Sequence, residues 1–180
     1  MNLIEAYGKK ITAAEYVKRE VLACGGKAAC SKADLGAIAE EHGLKMPIWK
    51  YSKEEIYDAL MESGKYTPEQ IAEKYQIGIP GKVYLDRFRF DPRLTKLLRK
   101  SGFLRVVGFR KYKRGKKLFK EPLYDAFQYE KMNSEQLDPE LEKAKKLLIE
   151  MLKNRILDDN SELLTSKARN LVKKLEYFRV

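Results

Sequence analysis

Most of the positive charge of this chain lies in one segment, and that segment limits the chemistry that the sequence can support. Residues 82–120 contain fifteen lysine and arginine side chains and two acids, a net charge of +13, whereas the whole chain carries +11. Seven aromatic side chains are interleaved with these cations. A localised cationic stripe of this kind is typical of proteins that bind polyanions, most often nucleic acid.

The cations occur in groups whose spacing suits contacts with phosphates and base edges. Arg93, Lys96 and Lys100 recur at helical spacing, opposite a face of leucines. Six of the eight residues from 110 to 117 are cationic and none is acidic. Arginine can bind guanine through two hydrogen bonds, which lysine cannot. The candidate nucleic-acid-binding residues are Lys82, Arg87, Arg89, Arg93, Lys96, Arg99, Lys100, Arg105, Arg110, Lys111, Tyr112, Lys113, Arg114, Lys116 and Lys117.

The residues available do not indicate catalysis. The single histidine, His42, leaves serine and cysteine nucleophiles without a base, and no glycine-rich loop has the spacing that cradles phosphates. Two cysteines, Cys24 and Cys30, are too few for a zinc site. Acids near the cationic segment show no spacing typical of a nuclease. We expect no catalytic residue, metal or cofactor, and a metal-dependent nuclease is the second alternative hypothesis.

Capping residues predict where the helices that carry these groups begin. A hydroxyl residue followed three positions later by an acid or amide predicts helix starts near residues 12, 31, 52 and 67, and Asp-Pro pairs predict starts near 91 and 138. A seventh helix is expected from Ser161. Residues 103–110 are β-branched and aromatic, and Gly115 marks a turn before a returning strand. Residues 80–90 fit a helix or a strand, and we favour the strand.

Two segments resemble each other, and their pattern is that of a helix-turn-helix. Residues 38–44 (IAEEHGL) parallel residues 71–77 (IAEKYQI), and each copy follows a capped helix start. Ala39 lets two helices approach, Gly43 permits the turn, and the second copy has Gln76 in place of the glycine. With the hairpin that follows, residues 52–119 resemble a winged helix-turn-helix DNA-binding domain. The stretch from His42 to Trp49 is similar to small helical modules of phage-encoded proteins.

This resemblance implies a fold and a domain organisation. We expect a mainly α protein with a small β-hairpin: a helix-turn-helix-like module in residues 1–51, a basic winged-helix-like module in residues 52–130, and a C-terminal helical hairpin in residues 131–180. A homodimer through residues 138–178 is an open possibility.

No apolar run approaches the roughly 18 residues that cross a bilayer, and no signal peptide is evident. A cytoplasmic, nucleic-acid-associated location without a membrane partner is therefore expected.

The resemblance also implies a function, with one main alternative. We expect a non-enzymatic protein that binds double-stranded DNA, as a transcription regulator or a replication accessory. In that arrangement the helix from Asp91 contacts the groove and the hairpin is the wing. The alternative is an RNA- or single-strand-binding component of a nucleoprotein, in which Tyr112 stacks on bases. Phe103 and Phe109 are expected on the buried face of the hairpin, Trp49 in the core between the repeats, and His42 packed at its helix turn.

Overall fold

The computed structural model describes residues 1–23, 29–88, 91–158 and 162–177. This part of the chain is mainly helical with a little antiparallel β-structure, as the sequence predicts at that level of detail, and the β-strands form two small sheets. In chain order its elements are β1 (Ile4–Ala6), β2 (Lys9–Ile11), α1 (Ala13–Leu22), α2 (Lys32–Glu41), α3 (Lys53–Glu62), α4 (Pro68–Lys74), β3 (Ile79–Pro80), α5 (Gly81–Phe88), α6 (Pro92–Lys100), β4 (Val106–Arg114), β5 (Lys117–Tyr124), α7 (Ala126–Lys131), α8 (Ser134–Asp158) and α9 (Glu162–Tyr177).

These elements divide into two compact units. The first comprises Met1–Val83 and Arg105–Lys131, and the second comprises Tyr84–Leu104 and Met132–Val180. The hairpin of β4 and β5 therefore belongs to the first unit, and α6 belongs to the second. The three-module division expected from the sequence stays a prediction. Of the helices described, none is long and apolar enough to cross a membrane.

In the first unit, α1 packs against α3, α4 and α7, and α2 packs against α3. Aliphatic side chains such as Val17, Leu35 and Ile56 are fully buried there. A buried carboxylate ties the N-terminal segment to α7, because Glu130 Oε1 accepts the backbone N–H of Ala13 at 3.0 Å. The backbone N–H of Asn2 also donates to the Glu130 carbonyl at 2.9 Å. These two bonds satisfy donors at the start of the fold that burial would otherwise leave without water.

The capping signals locate most helix starts correctly. Ser31, Ser52 and Thr67 each form a reciprocal capping box with the side chain three residues later. Thr12 and Asp91 cap α1 and α6. Each side-chain oxygen satisfies a backbone N–H that has no partner within its own helix.

Two expectations about the elements are wrong. The helix expected from residue 138 begins at Ser134 and contains Pro139, because Asn133 Oδ1 accepts the backbone N–H of Gln136 at 2.9 Å and supplies the cap instead. The strand favoured within residues 80–90 is a helix from Gly81 to Phe88. That helix buries Tyr84 and exposes Lys82 and Asp86, which is a helical period rather than an alternation. The buried positions expected for Trp49 and Phe109 are corrected below. The predicted start at Ser161 and the positions of Cys24 and Arg89 lie outside the described residues.

The two repeated segments do end their helices in the same way. After α2, the N–H of Leu44 donates to the Ala39 carbonyl at 2.8 Å, and Gly43 has a φ of +76°. After α4, the N–H of Ile77 donates to the Ala72 carbonyl at 2.8 Å, and Gln76 has a φ of +55°. Both are Schellman turns, in which one residue adopts the left-handed conformation. His42 caps α2 and its ring lies 5.1 Å from that of Tyr66, as expected for packing at the turn.

In the second unit, α8 packs against α6 and α9. Leu94 and Leu98 of α6 are buried, as are Leu141 and Leu148 of α8. Two polar side chains are buried in this unit as well. Lys145 of α8 pairs with Glu142 at 2.8 Å, whereas the hydroxyl of Thr95, which is 5% exposed, has no hydrogen-bond partner among the described residues. These buried leucines of α6 and α8 therefore pack within the chain.

Candidate nucleic-acid interface

The β4–β5 hairpin carries the densest group of predicted contact residues. Every residue from 109 to 120 is exposed, on both strands and at the turn. Seven of these twelve residues are lysine or arginine and none is acidic. We call this segment the cationic arm. Six residues of β-strand extend about 20 Å, so the arm projects charge well beyond its base.

The register of the arm separates its side chains into two faces. Tyr112 pairs with Phe119 across the strands, and Arg114 pairs with Lys117. These two pairs share a face, because side chains two positions apart point the same way. The opposite face carries Lys111 opposite Lys120 and Lys113 opposite Leu118, with Phe109 towards the base. Both faces therefore present cations beside exposed apolar groups.

Ring contacts stiffen the arm on each face. The rings of Tyr112 and Phe119 stack with centroids 5.5 Å apart and planes 18° apart. On the other face, Lys120 Nζ lies 4.1 Å from the centroid of the Phe109 ring, a cation–π contact. Phe109 is 49% exposed, so the expectation that it lies on a buried face is wrong. Phe103 is half-buried but precedes β4 and belongs to the second unit, so the expectation that it lies on the hairpin is wrong as well. Aromatic and cationic neighbours along the two-stranded ribbon stabilise it where no core supports it.

The base of the arm is held by two glycines that allow the backbones to meet. A Cβ on Gly108 would lie 2.6 Å from Gln76 Cβ and 2.9 Å from the Gln76 carbonyl oxygen. A Cβ on Gly78 would lie 2.5 Å from Val107 Cγ2 and 2.6 Å from the Tyr124 carbonyl oxygen. The turn after α4 is thus pressed against the first residues of the hairpin. Where two backbones approach each other this closely, only glycine fits.

A buried hydroxyl extends this anchor into the helical core. Tyr16 of α1 donates its hydroxyl to the Gly78 carbonyl at 3.2 Å. Burial raises the pKa of the Tyr16 hydroxyl well above its usual range, so the group stays a donor at neutral pH. The arm is therefore fixed at its base to the turn that ends α4 and through Tyr16 to α1.

Two of the predicted contact residues are engaged within the first unit. Arg105 pairs with Glu73 at 2.6 Å and with Asp125 at 3.5 Å. Arg110 pairs with Glu121 at 2.7 Å. Their positive charges are compensated by neighbouring carboxylates, so they contribute less to an external potential than the cations nearer the tip.

The predicted cations from 82 to 100 are placed on helices. Lys82 and Arg87 are exposed on α5. Arg93, Lys96 and Lys100 are exposed on α6, opposite the buried leucines, and Arg99 is half-buried. Arg93 Nη1 lies 3.9 Å from Oδ2 of Asp91, the residue that caps α6. The basic face predicted for α6 therefore exists, but it belongs to the second unit while the cationic arm belongs to the first.

Sequence reasoning missed Lys120 as a contact residue. It lies on the arm, directly opposite Lys111, and its ammonium covers the Phe109 ring. The signal that locates it is the hairpin register: once Gly115 is taken as the turn, Lys120 falls opposite a predicted contact residue.

Within the described residues, no cluster of three or more histidine, cysteine or acidic side chains is arranged to hold a metal ion. Cys30 is a buried free thiol whose pKa is raised by burial. Compared with protein-family models, curated proteins and solved structures, the chain matches none of them. Its function is therefore argued from the geometry above.

Proposed function

We propose that this protein binds nucleic acid without catalysing a reaction on it, that double-stranded DNA is its preferred ligand, and that the cationic arm is the principal contact. The observation that carries this proposal is the exposure of all twelve arm residues together with their seven cations and absence of acids. Such an arm concentrates positive potential where a polyanion can reach it.

The architecture of the arm supports a role in binding. An isolated two-stranded ribbon is marginally stable in water, and cations on adjacent strands repel one another. Lys111 and Lys120 stand directly opposite each other, and so do Arg114 and Lys117. This repulsion is relieved when phosphates lie beside the ribbon. A two-stranded ribbon also has the dimensions that the major groove of B-DNA admits.

The basic face of α6 is the second element of the proposal. In a winged-helix arrangement Arg93, Lys96 and Lys100 face the duplex, with arginine reading base edges and lysine meeting phosphates. In that hypothesis the hairpin corresponds to the wing. A transcription regulator or a replication accessory, located in the cytoplasm on nucleic acid, is the role that fits such a protein.

An RNA- or single-strand-binding role is the second candidate, and one observation favours it. The stacked pair of Tyr112 and Phe119 is exposed, by 43% and 39%, beside Arg114 and Lys117. Exposed aromatics beside cations are how many proteins hold unpaired bases. Duplex DNA is preferred here because the two rings already stack on each other, which leaves less ring surface for a base.

The test is a salt series of binding to labelled duplex DNA, single-stranded DNA and RNA of matched sequence, followed by fluorescence anisotropy. The variant Arg114→Gln, Lys116→Gln, Lys117→Gln removes three charges from the tip of the arm. Its matched control, Lys9→Gln, Lys10→Gln, Lys131→Gln, removes three exposed charges elsewhere in the same unit.

We expect the native protein to prefer the duplex and to lose affinity steeply as salt rises. The tip variant should reduce the slope of log K against log salt by about one unit for each phosphate that the arm no longer neutralises. The control variant should leave that slope nearly unchanged. An equal loss in both variants would show that net charge alone drives binding and would remove the arm from the proposal. Cleavage of the duplex when Mg²⁺ is added would refute the non-enzymatic proposal and identify the protein as a nuclease.

A further inference from the structure

The only tryptophan of the chain lies on the surface. Trp49 is 84% exposed, and its neighbour Ile48 is 43% exposed. The expectation that Trp49 anchors the core between the repeats is therefore wrong. A large aromatic ring left in water forgoes the stabilisation of burial that such side chains usually gain. Tryptophan is also one of the side chains enriched at binding hot spots.

The loop between α2 and α3, residues 43–51, holds this ring outward through local contacts; we call it the Trp49 loop. The backbone N–H groups of Lys50 and Tyr51 both donate to the Pro47 carbonyl, at 2.9 and 3.3 Å. They close a tight turn with Trp49 at its outer side. Ile48 packs in the opposite direction: a Cβ on Gly36 would lie 2.4 Å from Ile48 Cγ2. The missing side chain at Gly36 thus admits Ile48, and Trp49 is left facing solvent.

The charge of the Trp49 loop selects an anionic ligand. Residues 43–51 contain Lys45 and Lys50 and no acid. Both lysines are exposed, and Lys50 Nζ lies 5.5 Å from the centroid of the Tyr51 ring. The loop therefore places an open indole face close in sequence to two ammonium groups. This combination matches the two chemical parts of a nucleotide, a flat base and a phosphate.

We propose that the Trp49 loop is a second nucleic-acid site, in which Trp49 stacks on an unpaired base and Lys45 and Lys50 meet the adjacent phosphates. The site goes beyond the binding of duplex DNA by the cationic arm and does not depend on it. Stacking requires a base whose face is open, so the ligand is a single strand, a frayed end or a flipped nucleotide. A lipid surface fits less well, because membrane-anchoring segments bury a broad apolar face and this loop offers one indole and part of one isoleucine.

The single tryptophan makes the test direct. Its emission, excited at wavelengths that tyrosine does not absorb, is followed as the native full chain is titrated with oligothymidine, with matched duplex DNA, and with vesicles of mixed anionic and neutral phospholipid. Binding of the labelled nucleic acids is measured in parallel by anisotropy. We expect oligothymidine to quench the emission without a blue shift, and blunt duplex to bind with much less quenching.

Variants separate this site from the arm. Trp49→Ala should weaken oligothymidine binding by about 5- to 150-fold, the range that base stacking supports, while Trp49→Phe should restore most of it. Leu3→Ala, which shortens another exposed apolar side chain, should leave binding unchanged. For oligothymidine binding, we expect a lower slope of log K against log salt in the double variant Lys45→Gln, Lys50→Gln. The double variant Lys9→Gln, Lys10→Gln is the control and should lower that slope less.

Three results would overturn this proposal. The first is bound oligothymidine with unchanged tryptophan emission, and the second is unchanged affinity in Trp49→Ala. The third is a blue shift caused by the anionic vesicles but not by the oligonucleotide, which would assign the loop to a membrane surface. Duplex binding by the arm could still hold in each case, since it is measured by anisotropy and by the arm variants. Loss of arm-dependent duplex binding with retained quenching would refute the proposed function and leave this site standing.

Discussion

Replacement of Gly108 by alanine tests the anchor at the base of the cationic arm. The added methyl group would lie 2.6 Å from Gln76 Cβ and 2.9 Å from the Gln76 carbonyl oxygen. Neither atom can move without shifting the backbone of the Schellman turn that ends α4. Overpacking of this kind costs about 1–3 kcal/mol. For a chain of this size, each kcal/mol lowers the melting temperature by about 2–4 °C, so we expect a fall of several degrees.

Gly36→Ala is the matched control, because it makes the same chemical change at a similarly short distance. There the added Cβ would lie 2.4 Å from Ile48 Cγ2. Ile48 is a half-exposed side chain in a loop, so it can turn aside. Alanine is also the better residue inside a helix, by about 0.5–1 kcal/mol. We therefore expect Gly36→Ala to change the free energy of unfolding by less than Gly108→Ala.

The assay is chemical and thermal unfolding of both variants, followed by circular dichroism, with DNA binding measured on the folded proteins. Gly108→Ala should also weaken duplex binding more than Gly36→Ala, because it displaces the base of the arm. If Gly108→Ala were as stable as the native protein, the close approach of Gln76 to β4 would not exist. The contact would then not be what positions the arm.

Three further outcomes follow from single side chains. Thr95→Val should raise the free energy of unfolding by up to about 1 kcal/mol, because it removes a buried hydroxyl that has no partner among the described residues. Urea unfolding measures this change, and a loss of stability would show that the hydroxyl has a partner. Burial raises the pKa of Tyr57 to about 12. The pKa of tyrosine in an unfolded chain is about 10. The neutral Tyr57 hydroxyl therefore makes its full contribution to the free energy of unfolding below pH 10, and this contribution is lost as the pH rises through 12. Tyr57→Phe should reduce the fall of stability over that range, and an unchanged pH profile would contradict this. Arg105→Gln should change the salt slope of DNA binding less than Arg114→Gln, because carboxylates already pair with Arg105; equal effects would show that its ion pairs open on binding.

Much of the secondary structure could be predicted because its signals are local. A cap needs an oxygen and a backbone N–H only two or three residues apart, so Ser31, Ser52 and Thr67 mark their helices from sequence alone. The hairpin is similar, since Gly115 with a φ of +62° sets its turn and the turn sets the register. The repeat of residues 38–44 in residues 71–77 is also evident from sequence, whereas the matching Schellman turn at Gln76, with a φ of +55°, is known from the structure.

Elements without a local signal were missed. The N-terminal pair of β1 and β2, the two residues of β3 and the short helix α7 were not predicted. β3 exists because it pairs with β5, far away in the chain. The N-terminal segment is held by Glu130, more than one hundred residues later. Pairings of this kind depend on where distant segments are placed, and the periodicity of a short segment does not report that placement.

The charge of residues 82–120, the helix caps and the turn of the cationic arm all follow from the order of residues along the chain, because each depends on composition or on near neighbours. Which side chains of that segment are open to a ligand depends instead on the folded molecule. Arg105 and Arg110 are paired with acids, while Phe109 and Lys120 lie open on the arm. Packing likewise turns Trp49 outward, because Gly36 leaves space for Ile48. Burial is set by contacts between residues far apart in sequence, and that is the information a local pattern lacks.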